Sequence, residues 1–182
     1  MAMMHPAAGV TYTTLNPADK SASITLSGGN LIATGGAAAG LVRTVKPIGA
    51  TEHKYWECTV GAGSLGNLFF GTCNGSASVN DWPGNSANGI SYIASGSVYQ
   101  GGAVIAAFGA YTNGDVIGWE SDRNAGNFSI YLNGVLQGTL AGYGGVAIYP
   151  CYGMVASTAP CTYNFGPSMA YSIPAGASLI TA

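Results

Sequence analysis

The clearest hydrophobic pattern in the chain lies at residues 114–138, GDVIGWESDRNAGNFSIYLNGVLQG. Residues 116–121 alternate between two faces, and residues 128–133 alternate again after a polar run. Alternation with a period of two on both sides of a Gly-containing turn is typical of a β-hairpin. Asn133 and Gly134 follow at once, and this dipeptide suits a turn whose two central residues have positive φ. The pattern therefore predicts three consecutive antiparallel strands.

The rest of the chain has the same character, because short alternating segments are separated by Gly-, Asn- and Pro-rich turns. Segments with the length and composition of strands are residues 24–26, 31–33, 41–45, 54–60, 68–72, 90–94, 97–100, 146–152 and 161–165. No segment of helical length carries an apolar stripe with a 3.6-residue period. About twelve short strands with frequent turns predict an all-β fold, an antiparallel β-sandwich of two sheets.

Three segments are ambiguous or irregular at this level. Residues 10–15 alternate weakly and fit either an edge strand or an arm, and residues 101–110 fit either a strand or a brief helical turn. Residues 16–19, NPAD, read as a turn, because Pro fixes φ and both Asn and Asp bond locally. With 182 residues in total, we expect one domain at residues 16–182 and a possible N-terminal arm at residues 1–15.

Charge is scarce, at 7% of residues with a net charge of −2, against about 25% charged residues in an average domain. No basic patch is available for nucleic acid, and no apolar run reaches the roughly 18 residues of a membrane helix. The N-terminus lacks the pattern of a secretory signal. Low charge fits a surface covered by neighbouring subunits, or one that relies on neutral polar side chains for binding.

The four cysteines, Cys58, Cys73, Cys151 and Cys161, include no C-x-x-C pair, which argues against a zinc site. Cys58 falls on the same strand face as Trp56, where a buried free thiol is the expected state. Cys151 and Cys161 flank a short connection and could pair across strands. Without a secretory signal we expect reduced thiols.

Three motifs suggest chemistry, and each has a simpler explanation. Residues 61–66, GAGSLG, match a dinucleotide-binding pattern, but a strand rather than a helix follows. Glu120 and Asp122 share a strand face like the paired acids of some sandwich-fold glycosidases, but Ala125 stands where a third acid is needed. His5 and His53 lack a nucleophile or a metal-ligand cluster. We therefore expect no catalytic residues, no metal and no cofactor.

A group of aromatic and amide side chains is the candidate binding surface. It lies in and beside the turn-rich segment at residues 74–89. Exposed rings with amide partners suit stacking on sugars or contacts with proteins. The alternative is that at least half of these rings only cover the edge of the sandwich. The candidate residues are Asp81, Trp82, Asn85, Tyr92, Tyr99, Gln100 and Tyr111.

Several segments, taken as a set, resemble a SPRY domain. They are residues 54–60 (KYWECTV), 68–72 (LFFGT), 114–118 (GDVIG) with the following hairpin, 149–152 (YPCY) and 162–166 (TYNFG). The resemblance covers about residues 41–176 and implies two antiparallel sheets in a concanavalin-like jelly roll, with binding through loops at one end or edge. Residues 16–32 and 171–176 resemble the SPRY-type proteins that bacteriophages carry in their virions.

This resemblance implies a non-enzymatic virion protein, located in the virion after assembly in the host cytoplasm. It would act as a capsid decoration subunit or as a tail or fibre module that contacts a receptor. Its expected partners are other virion proteins, further copies of itself, and a glycan or protein of the host surface. One alternative is a stand-alone adaptor that binds peptides, and a second is a carbohydrate-active enzyme.

Overall fold

The structure, a computed structural model, describes residues 9–141 and 146–182, and these form an all-β sandwich without helices. The strands are Leu15–Lys20 (β1), Thr25–Ser27 (β2), Ile32–Thr34 (β3), Gly40–Thr44 (β4), His53–Val60 (β5), Asn67–Cys73 (β6), Gly89–Ile93 (β7), Ser97–Gln100 (β8), Ala103–Ala107 (β9), Val116–Asp122 (β10), Asn127–Leu132 (β11), Val135–Ala141 (β12), Tyr149–Val155 (β13) and Cys161–Asn164 (β14). The predicted fold class is confirmed.

Two antiparallel sheets of seven strands make up the two layers. The first sheet has the order β1-β4-β13-β6-β7-β8-β9, and the second has the order β12-β11-β10-β5-β14-β3-β2. The predicted central pattern corresponds to β10, β11 and β12, which pair consecutively through two tight turns. Asn133 and Gly134 both have positive φ in the second turn, as the dipeptide predicted.

The core lies between the sheets and is rich in aromatic rings. Trp56 on β5 and Trp119 on β10 are direct partners in the pairing, and their indole rings stack with centroids 6.2 Å apart. Phe128 packs edge-on against Trp119 from the neighbouring strand. All three side chains are buried. Because buried aromatic rings each remove a large apolar area from water, this cluster contributes strongly to the stability of the sandwich.

The turn predicted at residues 16–19 needs correction. Residues 16–19 do contain a local turn bond, from the Ala18 N–H to the Asn16 side chain, but they lie within β1 as an irregularity of its pairing with β4. Residues 11–15 belong to the body of the sandwich. The Thr13 N–H donates to the Ile180 carbonyl at 3.0 Å, and Leu15 is fully buried. Residues 1–8 of the expected arm lie outside the described residues.

All four cysteines are free and buried. The suggested link between Cys151 and Cys161 does not form. Cys151 instead neighbours Cys73 from the adjacent strand, and Cys161 neighbours Cys58. Burial raises the pKa of both Cys58 and Cys151, and a hydrogen bond between the thiols of each pair adds to the effect. Both thiols are therefore neutral packing groups at ordinary pH.

Sequence periodicity did not show that both faces of β5 are covered. Tyr55 and Glu57 lie on the face away from the core, yet both are buried. The chain after β14 returns across this outer face, where the Tyr55 N–H donates to the Ser178 carbonyl at 3.0 Å. We call residues 166–182 the C-terminal segment. It covers the outer face of the second sheet at β5, so that Tyr55 and Glu57 are buried in a second, partly polar interior.

Candidate functional site

The structure divides the candidate binding residues into three groups. Asp81, Trp82 and Asn85 lie in the long connection between β6 and β7. Tyr99 and Gln100 end β8 but take part in different depressions of the surface. The remaining two, Tyr92 and Tyr111, lie in the core between the sheets.

Tyr92 and Tyr111 are core residues, so the expectation that these two rings are exposed is wrong. Tyr92 has no exposed surface and Tyr111 only 2%. Their rings pack 5.1 Å apart, and the Tyr111 hydroxyl donates to the Leu68 carbonyl at 2.7 Å. The Tyr92 hydroxyl donates to the Gly109 carbonyl. Burial, with a smaller contribution from the charge of Asp115, raises the pKa of Tyr92 to about 12.

Trp82 forms the main feature of the outer face of the first sheet. Its indole ring stacks on Phe69 at a centroid distance of 4.5 Å, and Tyr99 meets it edge-on at 5.5 Å. The three rings border a groove of about 240 Å³, which we call the Trp82 groove. Its lining residues are Asn67, Phe69, Trp82, Ile93, Tyr99 and Val155.

The lining of the Trp82 groove determines what it can hold. No charged side chain contributes to it, and the polar side chains among its lining residues include the exposed amide of Asn67 and the hydroxyl of Tyr99. Its volume is below the roughly 300–1,000 Å³ typical of a drug-sized ligand. A flat apolar face with one polar edge therefore fits best, such as a single sugar ring or one proline or aromatic side chain of a partner protein.

Asp81 and Asn85 position Trp82 rather than line the groove. The Asp81 carboxylate accepts a hydrogen bond from the backbone N–H of Trp82 at 2.8 Å. It accepts a second from the side-chain amide of Asn85 at 2.7 Å. The neighbouring Gly84 accepts a hydrogen bond from the Gly102 N–H at 2.9 Å. These bonds close the loop into a compact turn, so the indole ring is presented with little conformational freedom.

Pro83 packs this loop against the first sheet. The contact is possible because residue 153 of β13 is glycine, which has no side chain. A Cβ placed on Gly153 would lie 2.1 Å from Pro83 Cδ. We predict that Gly153→Ala lifts the loop and displaces Trp82, because Pro83 is buried and its ring is rigid. The overpacking should lower the free energy of unfolding by about 1–3 kcal/mol, measured by urea denaturation. Exposure of the displaced indole ring to water should shift its fluorescence emission to longer wavelength.

Gly75→Ala is the matched control in the same connection. A Cβ there meets only Tyr149 Cε2, at 3.9 Å, and the residue does not have positive φ. This variant should keep the stability and the emission spectrum of the unmodified protein. Equal effects of the two substitutions would show that the close approach of Pro83 to the sheet does not position Trp82.

Gln100 belongs to a second cavity at the end of the sandwich. This cavity, of about 190 Å³, has an apolar floor that includes Ile148 and a rim of amides. In the rim, Asn74 donates to Asn88 at 3.1 Å. Arg123 also lines this cavity; the residue is buried, and its guanidinium donates to the Val146 carbonyl at 2.6 Å. Burial lowers the pKa of Arg123.

The two acids on β10 belong to a polar cluster on the outer face of the second sheet. Glu120 binds both His53 Nε2, at 2.7 Å, and the Tyr131 hydroxyl, at 2.8 Å. Asp122 lies 4.0 Å from His53 Nδ1 and accepts two backbone N–H groups of the hairpin turn. Burial, helped by the Glu120 hydrogen bond, raises the pKa of Tyr131 to about 12. Both carboxylates are thus engaged by neighbouring groups of the chain.

The other motifs have a structural role or none in the described region. Residues 61–66 form a turn into β6, so no helix N-terminus is present there for a pyrophosphate. Within residues 9–141 and 146–182, no cluster of three His, Cys, Asp or Glu side chains is arranged to hold a metal. In the same part of the chain, no helix is long and apolar enough to cross a membrane.

Comparison with known proteins identifies the fold. No protein-family model and no curated protein sequence matches the chain. Among solved structures, the SPRY domain of human HERC1 superposes with a TM-score of 0.73 at 17% identity, over 82% of this chain and 96% of that domain. A human SPRY domain gives 0.68 at 20% identity, over 78% and 94% of the two chains. The PSpry domain of TRIM65 gives 0.69 at 14% identity, over 85% and 90%. The chain therefore has the fold of a SPRY domain.

Proposed function

We propose that this protein is a non-enzymatic binding module that recognises an uncharged group on a protein or glycan through the Trp82 groove. The observation that carries the proposal is the aromatic wall of that groove, in which Trp82 stacks on Phe69 and meets Tyr99 edge-on. Stacked rings form a flat apolar contact that loses little conformational entropy on binding. The turn closed by Asp81 fixes this wall before any ligand arrives.

We further propose that the module acts in many copies on a bacteriophage particle. It would serve there as a capsid decoration subunit or as a tail or fibre part that contacts the host. Two features of the sequence support this setting: the resemblance of residues 16–32 and 171–176 to phage SPRY-type proteins, and the low content of charged residues. Cryo-electron microscopy of purified particles would test it, and particles that lack the protein would refute the virion role.

A stand-alone adaptor that binds peptides is the second candidate. It is favoured by the fold, which this chain shares with SPRY domains of human proteins over most of its length. The same groove would serve that role, with a proline or aromatic side chain of the peptide against Trp82. A peptide-display screen run beside a glycan array distinguishes a peptide ligand from a sugar.

We predict that Trp82→Ala weakens binding to the ligand found in these screens by about 2–4 kcal/mol, the range of an interface hot spot. The indole is half-buried against Phe69 and Tyr99, so the melting temperature should fall, whereas circular dichroism should keep the β-sheet spectrum of the unmodified protein. Tyr171→Ala is the matched control, because it removes an exposed aromatic ring from the C-terminal segment. Equal affinity of the Trp82 variant and the unmodified protein would refute the role of the groove.

A further inference from the structure

The cavity that contains Gln100 is formed by both sheets at one end of the sandwich, and we call it the Arg123 cavity. In the described part of the chain, its lining comes from the end of β6 and the start of β7 in one sheet, and from the hairpin of β10 and β11 in the other. Asn67, which lines the Trp82 groove, begins β6, whereas Cys73, which lines this cavity, ends that strand. The two sites therefore lie at opposite ends of β6.

The positive charge of this cavity is held in a fixed position. Arg123 is only 4% exposed, and its backbone N–H donates to the Glu52 carbonyl at 3.0 Å. Its side chain is placed by the bond from Nη2 to the Val146 carbonyl and by the Phe128 ring, whose centre lies 5.6 Å from Cζ. Because a guanidinium has five N–H donors in a rigid fork, it can hold a backbone carbonyl and a carboxylate at the same time.

Acidic side chains are missing from the described lining of the cavity, in which Arg123 is the only charged residue. Asp122 precedes Arg123 in the sequence, but its carboxylate accepts two backbone N–H groups of the hairpin turn. The Glu52 carboxylate pairs with Lys54. The lining thus presents no like charge to an incoming carboxylate, and a charge-assisted hydrogen bond gains strength where water is largely excluded.

The rest of the lining combines buried apolar side chains with amides. Ile90, Phe128 and Ile148 are buried and form the apolar part. At the rim, the side-chain amide of Asn74 donates to that of Asn88 at 3.1 Å. The volume of about 190 Å³ is below the roughly 300–1,000 Å³ of a site for a drug-sized ligand, so the cavity suits a group about as large as one amino-acid side chain.

A carboxylate suits this lining better than a phosphate does. A planar carboxylate matches the guanidinium fork in two parallel hydrogen bonds. A dianionic phosphate is commonly held by several cations or by the N–H groups of a helix N-terminus, whereas the described lining offers one cation and no helix. The buried isoleucine and phenylalanine side chains favour an apolar body attached to the acid.

We propose that the Arg123 cavity binds a carboxylate joined to a small apolar body. The Arg123 guanidinium donates two parallel hydrogen bonds to the carboxylate, and the apolar body contacts Phe128 and Ile148. Two sources share this chemistry, namely a free short-chain acid and the C-terminal residue of a partner polypeptide. The inference concerns a different site from the Trp82 groove and does not depend on it.

The first test uses the unmodified protein, with binding measured by calorimetry and by shifts of amide NMR signals. The probes are 3-methylbutanoate, its uncharged amide of the same shape, and inorganic phosphate. The acid should bind with a Kd of about 1 mM, and the amide and phosphate should bind at least about tenfold more weakly. The shifted amides should be those of residues 72–74, 88–90 and 123–128.

A valine-ended tripeptide with a free C-terminus, compared with its C-terminal amide, distinguishes the two sources. If the tripeptide acid binds more tightly than 3-methylbutanoate and the tripeptide amide does not bind, the ligand is the C-terminal residue of a polypeptide. If only 3-methylbutanoate binds, the ligand is a free acid.

Variants locate the site without altering the core. Ala87 is exposed and lines the cavity, so Ala87→Trp should fill the entrance and weaken acid binding at least about tenfold. Ala62→Trp is the matched control, because Ala62 is exposed in the turn between β5 and β6 and should leave binding unchanged. Arg123→Lys keeps the charge but loses the fork, and should bind the acid about tenfold more weakly.

Four outcomes would overturn the proposal: no saturable binding of the acid, equal affinity for the acid and its amide, equal affinity for the acid and phosphate, or undiminished binding by Ala87→Trp. Trp82→Ala should bind 3-methylbutanoate as tightly as the unmodified protein does. Failure of this inference is therefore distinguished from failure of the proposed function, which concerns the Trp82 groove alone.

Discussion

Replacing Glu57 with alanine should lower the free energy of unfolding by about 3 kcal/mol and release the C-terminal segment. The Glu57 carboxylate accepts the N–H of Ala170 at 2.6 Å, the N–H of Tyr171 at 3.0 Å and the Tyr55 hydroxyl at 3.1 Å. Hydrogen bonds to a charged acceptor are stronger than those between neutral groups, and alanine removes all three. The Tyr55 hydroxyl is then left buried without this partner, which adds to the cost.

Two measurements separate a local from a global effect. Urea denaturation gives the loss in stability, which corresponds to a decrease of roughly 6–12 °C in Tm for a chain of this size. Limited proteolysis followed by mass spectrometry should show earlier cleavage within residues 166–182. Glu57→Gln retains one acceptor oxygen and should lose only about 1–2 kcal/mol.

Glu52→Ala is the matched control for Glu57→Ala. It removes the same side chain from a site close to the start of β5, where the carboxylate is 40% exposed. Its effect on stability should be smaller than that of Glu57→Ala, because the ion pair with Lys54 is partly exposed and only one backbone N–H, that of Gly49, donates to the carboxylate. Unchanged proteolysis of the C-terminal segment in Glu57→Ala would show that other contacts, such as the bond of Tyr55 N–H to Ser178, hold it in place.

The burial of Glu57 could not be predicted from the sequence. Alternation in residues 54–60 places Trp56 on one face and Glu57 on the other, and this assignment is confirmed. Periodicity reports which residues share a face, but it does not report what covers that face. The cover here comes from a segment more than 100 residues later, without regular alternation of its own, and no local rule connects the two.

Some candidate binding residues lie in the core and others at the surface, and local periodicity does not distinguish them. Tyr92 and Tyr99 lie on short neighbouring strands whose sequences are uncharged throughout, so neither strand has a clear polar face. The pairing decides the outcome, because Tyr92 stands opposite the inward Phe70, whereas Tyr99 stands opposite Ser91 beneath the Trp82 loop. Trp82 lies outside the sheets, beside a groove, because its loop is rich in turn residues, and its role in binding stays a prediction.

Gly153 is the sequence signal that bears on the position of the loop containing Trp82 and Pro83. Sequence analysis treats a glycine within a strand as a sign of a bulge or of close approach by another part of the chain. Gly153 in β13 is such a position, and Pro83 occupies the space that a side chain would fill. The sequence alone leaves a bulge and a close approach both open at residue 153, and only the tertiary structure shows that Pro83 approaches it.

Replacing Arg43 with methionine should destabilise the protein by about 2–3 kcal/mol and loosen the first turns of the connection between β6 and β7. Arg43 forms a two-bond ion pair with Asp19, through Nε at 2.7 Å and Nη2 at 2.8 Å. Its third bond, from Nη1 to the Ala77 carbonyl at 2.7 Å, holds the loop over a small apolar cluster that includes Cys73. Burial acts to lower the pKa of Arg43, but its hydrogen bond to Asp19 and the nearby charges outweigh burial and raise it, so the guanidinium stays charged.

The cost follows from what methionine leaves behind. It replaces the stem of the side chain but not the donors, so the Ala77 carbonyl loses its bond, while Asp19, whose side chain is 35% exposed, can recover water. Lys46→Met is the matched control, because it removes one positive charge from an exposed position on the same side of the sandwich. Urea denaturation measures the stability, and hydrogen exchange of residues 74–80 measures the loop. If both variants lose the same stability, net charge rather than the Arg43 contacts accounts for the effect. If only the Arg43 variant shows faster exchange in the loop, the Arg43 side chain stabilises both β1 and the connection that leads to Trp82.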